Sequence, residues 1–208
     1  MQKFKLIFLL AIFFVMNCTT MLHATPPSDW KRLQNEASWI QYGFRLGVNI
    51  SLDSKYSETD HLDKLLSAEF GAFSRFGKIV YGEIGFGYMF HKGTYMTAHV
   101  TSGGYERIES RYLQIPMKAV AYLPVSQKIA FLPNLGVIYQ PLVHVTKNDS
   151  GYNKSSITNH SFVLHAGLGL KIHFVTIDFA YRKNLTPFFK DRKSLKPSFM
   201  TIMIGFQF

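Results

Sequence analysis

Cysteine is almost missing from this chain: Cys18 is the only one. It falls within an amino-terminal stretch that reads as a leader. The chain beyond that leader therefore has no disulfide staple, no thiol nucleophile and no cysteine metal site. Val15-Met16-Asn17 ahead of Cys18 makes a poor lipobox, because the Asn is out of place. Acids are scarce too, 13 against 23 lysines and arginines, for a net charge of +10. Long apolar runs end early. After Leu6 to Met16 no window holds the roughly twenty apolar residues that a membrane helix needs.

The amino terminus has the three-part build of an export signal. Lys3 and Lys5 give a positive start, Leu6 to Met16 is apolar and uncharged, and Leu22-His23-Ala24 precedes Thr25-Pro26-Pro27. The run is short for a spanning helix, which favours a cleaved secretory signal. Leu22 stands where a small residue is preferred, and cleavage is expected after Ala24. This gives a signal peptide over residues 1–24, a periplasmic lead-in over 25–38 and a single domain over 39–208. Losing the leader removes two lysines and no acid, so the formal charge falls by two. A basic, aromatic-rich chain raises nucleic acid as a partner. The cations here are scattered and export separates the chain from cellular nucleic acid, so no nucleic-acid partner is expected. A charged loop surface near anionic lipid head groups is the plainer account.

Alternation replaces helical periodicity through the rest of the sequence. At the end, Met200, Ile202, Ile204 and Phe206 occupy every second position. A strand has a side-chain period of two, so one face is greasy and the other mixed. From Ile40 to Ile50 the two faces read Ile40, Tyr42, Phe44, Leu46, Val48, Ile50 and Gln41, Gly43, Arg45, Gly47, Asn49. A slip of one residue would put Arg45 and Asn49 in the greasy layer, so register is well specified. The same pattern recurs over Leu65–Phe76, Lys78–Phe90, Arg107–Leu123, Lys128–Val145, Ser161–Ile172 and Val175–Arg182. That makes eight strands. Short links fall around Gly77, Pro124-Val125-Ser126 and His173-Phe174. Long polar links, Ser51–Lys64, His91–Gly104, Thr146–Ile157 and Lys183–Lys196, alternate with them. An all-β, eight-stranded antiparallel up-and-down transmembrane barrel of the outer-membrane type keeps that order, with short turns periplasmic and long loops outside. Pro116, Pro133 and Pro141 fall within strands, where a missing N–H predicts bulges or local breaks.

An eight-stranded bore is just wide enough for side chains to fill. Gly43, Gly47, Gly71, Gly85, Gly87, Gly136, Gly167 and Gly169 share the inward parity and make room for long polar neighbours. Arg45, Arg75, Lys118, Lys171 and Arg182 are then expected to meet Glu69, Glu83 and Asp178 inside. Charges withdrawn from bulk water need partners. The expected site is therefore a structural plug of ion pairs, preferred to a proton or solute path.

Catalytic, cofactor and metal sites are not expected. Glu69 and Glu83 could approach as an acid/base pair, but the surrounding cations favour ion pairing. His160-Ser161 resembles the His and Ser of lipid-cleaving barrels, yet adjacent strand residues point to opposite faces. The other histidines lack metal-ligand spacing. Gly103-Gly104 and Gly85-Phe86-Gly87 lack the following helix of a phosphate loop. Trp39, Tyr42, Tyr88, Tyr139 and Tyr181 suit an interfacial girdle. Two alternatives stand beside a non-enzymatic envelope barrel. One is a lipid-modifying barrel enzyme with a polar cluster at its outer rim. The other is a soluble, lipocalin-like carrier, which would put the apolar face inside.

Tyr112-Leu113-Gln114-Ile115-Pro116-Met117-Lys118 resembles the "YLEIPLLLK"-type segment of the PorT-like outer-membrane β-barrel proteins of Bacteroidetes. Gly167-Leu168-Gly169 is similar to that family's late glycine-rich strand. Ile177-Asp178-Phe179-Ala180-Tyr181-Arg182 resembles its "DLRY"-like strand, and Ile204-Gly205-Phe206-Gln207-Phe208 its ending. The resemblance spans most of residues 39–208. Gln114 stands where that segment often carries an acid, and Pro116 matches a proline of the family pattern. The resemblance implies an outer-membrane barrel in contact with membrane lipid. It also implies envelope or secretion-system partners, because the family is named for a member needed for secretion by the type 9 system.

Overall fold

The computed structural model describes residues 39–52, 61–96, 105–126, 128–148, 157–188, 190 and 196–208. The expected leader over 1–24 and lead-in over 25–38 lie outside the described residues. The compact unit that contains the strands runs from Ser38 to Phe208.

Eight long strands form it: β1 (Ile40–Ser51), β2 (His61–Gly77), β3 (Val80–Met96), β4 (Tyr105–Ala121), β5 (Ile129–Asn148), β6 (His160–Ile172), β7 (Val175–Asn184) and β8 (Ser198–Gln207). A two-residue piece, Leu123–Pro124, pairs with Phe131 and Ala130 at the start of β5. Each strand pairs antiparallel with the next, and β8 returns to β1. The cylinder is closed, so no edge is left open to another chain. Tyr42 and Phe208 exchange backbone hydrogen bonds of 3.1 and 2.8 Å at the seam.

The alternation resolves into an apolar outer wall and a largely polar bore. Phe44 is 63 % exposed, Leu164 43 % and Phe206 44 %, whereas Arg45 is 9 % exposed and Glu83 3 %. A soluble carrier needs the reverse arrangement, so the lipocalin-like alternative falls. The outer wall offers greasy side chains along all eight strands, as a lipid-facing surface requires.

Strand lengths differ from the sequence expectation on the long-link side. His61–Lys64 and His91–Met96 belong to expected loops, but they continue β2 and β3. Residues beyond a lipid-facing belt no longer need an apolar outward face, so hydropathy loses sight of them while the backbone ladder carries on. The ladder opens beside each proline. On β4 the pairing with β3 skips from Met117 to Gln114 around Pro116, and the pairing of β4 with β5 skips Gln140 and Pro141. Pro133 lies just past Asn134, where β5 stops pairing with β4. A ring nitrogen without a proton costs nothing where no ladder bond is due.

The tight turns lie at the other end. His173-Phe174 links β6 to β7, with His173 in the left-handed region at φ 61°. Gly77 closes β2 at φ 137° and donates a 3.0 Å hydrogen bond to Trp39 O. A Cβ there would run into Val80 O and come within 3.1 Å of Tyr81 Cα. Gly77→Ala is therefore expected to destabilise the barrel by about 1–3 kcal/mol, the usual cost of a strained backbone position. Urea unfolding in lipid vesicles measures it, and a loss near zero would mean that the turn relaxes freely.

At the long-link end, two connecting segments fold inward rather than staying polar and free. Thr158 N donates to Phe188 O at 3.0 Å, and Leu142 N donates to Asn159 O at 2.8 Å. These bonds hold Ile157 and Phe188 in an apolar cluster with Met89, Ile108, Tyr112, Leu142 and Phe199. The sequence predicts long polar links here, and Ile157 and Phe188 are apolar residues of those links that the structure buries. Burying two apolar side chains over the mouth is worth about 1.5–3 kcal/mol each.

Candidate functional site: the ion-pair plug and the outer mouth

β1, β2, β3, β4 and β7 project seven of the eight expected charged side chains into the bore, and β6 carries the eighth, Lys171. Two groups form. In the first, Glu83 of β3 receives three cations. Arg45 Nη1 lies 2.7 Å from Oε1, Lys118 Nζ 2.8 Å from the same oxygen, and Arg75 Nε 2.8 Å from Oε2. The register makes this possible, because Arg75 and Lys118 are the direct cross-strand neighbours of Glu83 on β2 and β4. Arg45 reaches across over Gly85, where a Cβ would sit 3.3 Å from its Nη2 and 3.0 Å from Pro116 Cγ. Glycine at that position leaves the guanidinium its path.

Phe73 lies beneath this group, with Arg45 and Arg75 at 5.1 and 4.7 Å from the ring centroid. Arg75 also donates to Gln207 Oε1 at 2.7 Å. Gln207 donates in turn to Gln41, and Gln41 to Tyr81 Oη at 2.8 Å. Stacked guanidinium faces are a use of arginine that lysine does not match.

The second group centres on Glu69 and Arg182. Arg182 Nη1 and Nη2 meet Oε2 and Oε1 at 2.6 and 2.8 Å, a two-pronged pair. Gln114 and Asn49 add donors to Glu69 at 2.9 and 3.2 Å. Arg182 Nε donates to His165 Nδ1 at 3.2 Å, so the ring carries its proton on Nε2 and gives it to Asn134 Oδ1 at 2.7 Å. Gln114 thus works as a donor to a carboxylate.

Two of the eight expected residues stand apart from these pairs. Asp178 is buried in the bore with Oδ1 lacking a hydrogen-bond partner. Lys171 is only partly buried, and its Nζ sits 5.9 Å over the Tyr122 ring. Glu69 and Glu83 each hold their own cations, so the two carboxylates are set up as anions and not as a shared-proton pair. His160 faces outward, stacked on Tyr139 with Nδ1 2.6 Å from its hydroxyl, while Ser161 faces inward against Thr186 at 2.9 Å. They lie on opposite sides of the wall.

Sequence reasoning did not find Phe73, or the apolar side chains at the bore's outer end. The only signal was parity: Phe73, Met89, Tyr112 and Leu142 share the face of the bore charges. Met89 and Tyr112 border a pocket of about 350 Å³, part of it open to solvent, with His91, Thr158, Asn184 and Phe188 on its walls. Ser67 Oγ holds His91 Nδ1 at 2.6 Å, and Nε2 has no partner. That space suits a water molecule or a small polar group.

Aromatic side chains ring the outer wall near both ends. Trp39, Tyr42 and Phe208 lie by the short turns, with Tyr42 and Phe208 at 6.2 Å. Phe70, Tyr88 and Phe90 group by the long links, with Tyr88 and Phe90 at 5.0 Å. Tyr139 and Phe162 lie there too, at 5.2 Å.

No curated protein matches the sequence. Among solved structures the chain is similar to the crystal structure of Neisserial surface protein A, with 15 % identity and TM-score 0.48, covering 83 % of this chain and 99 % of that one. It is also similar to the Yersinia pestis outer membrane protein Ail in a phospholipid bilayer nanodisc, with 14 % identity, TM-score 0.34 and coverage of 81 % and 99 %. A third likeness is to the translocator domain of the autotransporter NalP from Neisseria meningitidis, with 11 % identity, TM-score 0.34 and coverage of 93 % and 97 %. The model of one family, the outer membrane protein beta-barrel domain, matches residues 20–208, and the chain belongs to that family of outer-membrane barrels.

Proposed function

We propose that this protein is a closed, non-enzymatic envelope barrel that acts through its outer end, docking a partner of the envelope or secretion machinery. The observation that supports this most is the convergence of Arg45, Arg75 and Lys118 on Glu83 across the bore. A bore crossed by ion pairs offers no continuous water path, and the Glu69 and Glu83 carboxylates are engaged with cations instead of with a substrate. The face left for recognition is the long-link end, with its extended β2–β5 strands. Support for the secretion role comes from the resemblance over Tyr112–Lys118 and Ile177–Arg182, and fold alone would be a weak warrant.

Three measurements test the reading. Reconstituted in a planar bilayer, the full protein is expected to show no openings above the protein-free baseline. A steady ohmic conductance would overturn the closed bore. Deleting the gene and comparing secreted proteins tests the role: a type 9 defect is expected, and an unchanged set of secreted proteins would remove it. Turnover of lipopolysaccharide by the pure protein would overturn its non-enzymatic character.

A further inference from the structure

Just beyond the aromatic belt on the long-link side, the outer wall carries cations that the plug does not use. Phe90, Arg111 and His144 are direct cross-strand neighbours on β3, β4 and β5, and all three face outward. The Arg111 guanidinium lies 5.8 Å over the Phe90 ring. Lys92 is two residues past Phe90 on the same face, more than half exposed and 3.8 Å from Glu109. Opposite partners on one face of an antiparallel pair sit about 5 Å apart, and diagonal ones about 7–8 Å, so the two cations and the imidazole are within reach of one anion.

His144 joins this group through an irregularity in the strand. Arg111 pairs with His144, yet Tyr112 pairs with Leu142, so Val143 is an extra residue on β5. Val143 and His144 both face outward as a result. In unbroken register Val143 would stand opposite Arg111. Bulges commonly re-aim a side chain for use, and here the bulge sets an imidazole beside a guanidinium. Among the described residues no carboxylate pairs with Arg111 or His144.

Cations grouped on a lipid-facing wall repel one another and are costly to keep dry. Aromatic belts lie at head-group level, so Arg111, stacked on the belt residue Phe90, lies where head-group phosphates are. Guanidinium and phosphate match in geometry and charge. We propose that Arg111, His144 and Lys92 bind the phosphate of an anionic lipid in the outer leaflet, with its acyl chains against Phe90, Leu113 and Val143. Glu109, beside Lys92, limits how much negative charge the site accepts and favours one phosphate over a dense polyanion. The proposal rests on the barrel's place in the membrane and is independent of partner docking at the mouth.

The test uses the full protein in phosphatidylcholine nanodiscs doped with diphosphoryl lipid A or its dephosphorylated form, with bound lipid counted by native mass spectrometry. Wild type is expected to retain the phosphorylated lipid about tenfold better, the scale of one charge-assisted contact or more. The Arg111→Gln/His144→Gln double variant is expected to lose that preference while keeping the heat-modifiable gel mobility of a folded barrel. Millimolar inorganic phosphate should leave the lipid in place. Equal retention of the two lipids by wild type overturns the proposal, as does an unchanged preference in the folded double variant. Displacement by inorganic phosphate would assign the site to the free ion and overturn the lipid as its ligand.

Discussion

Glu83→Gln will cost this barrel more stability than any other single change at a bore carboxylate. The carboxylate accepts from Arg45 and Lys118 on one oxygen and from Arg75 on the other. An amide removes the charge and turns an NH2 group toward one set of donors. Flipping the amide only exchanges which cations face it. Breaking one buried pair typically costs about 3–5 kcal/mol, and here three cations lose their counter-charge together, so the upper part of that range is expected. Urea titration in lipid vesicles reads the loss, with barrel gel mobility as the check on folding. An exposed control calibrates it: Lys92→Gln breaks a partly solvated 3.8 Å contact with Glu109, and such pairs contribute about 0–1 kcal/mol. If Glu83→Gln costs no more than Lys92→Gln, water must reach the bore and the closed-plug reading fails with it.

Legibility of this fold followed from where water and lipid impose a pattern. Across the membrane belt each strand must be apolar outside, and the bore tolerates polar groups. Parity alone therefore assigned Phe44, Arg45, Leu164 and Glu83 to the correct sides. Past the belt the outer face meets water again. There His91–Met96 look like a loop although they extend β3. Apolar residues on the bore side, such as Phe73 and Leu142, were invisible for a related reason: a filled bore accepts any side chain that packs. Which cation meets which carboxylate depends on the stagger of eight strands, and no local pattern encodes that. The sequence therefore pointed to charged residues of one parity but not to the split between Glu83 with three cations and Glu69 with one, nor to Lys171 lying over Tyr122. The bulge at Val143 was equally hidden, since it appears only as one missed beat after Leu142.

Stagger also decides whether the Glu69–Arg182 pair supplies stability or specificity, and a double-mutant cycle separates the two. Arg182→Met keeps the length and loses the charge, leaving Glu69 with only the Gln114 and Asn49 donors. It is expected to cost about 3–5 kcal/mol. Glu69→Gln strands the guanidinium and should cost a similar amount. The double variant has no uncompensated charge, and neutral replacements for buried pairs are often harmless or stabilising by about 1–4 kcal/mol. It should therefore recover most of either loss. Recovery will be incomplete, because His165 Nδ1 loses the donor that Arg182 Nε provides at 3.2 Å, worth about 1 kcal/mol. Asn49 stays held, since Thr201 Oγ1 still donates to it at 2.5 Å. Losses that simply add would mean that the two residues act separately, against the paired geometry. Near-full recovery with a broadened unfolding transition would show that the pair's role is to select one packing of the bore, because a methionine and a glutamine fill the space without dictating a single arrangement.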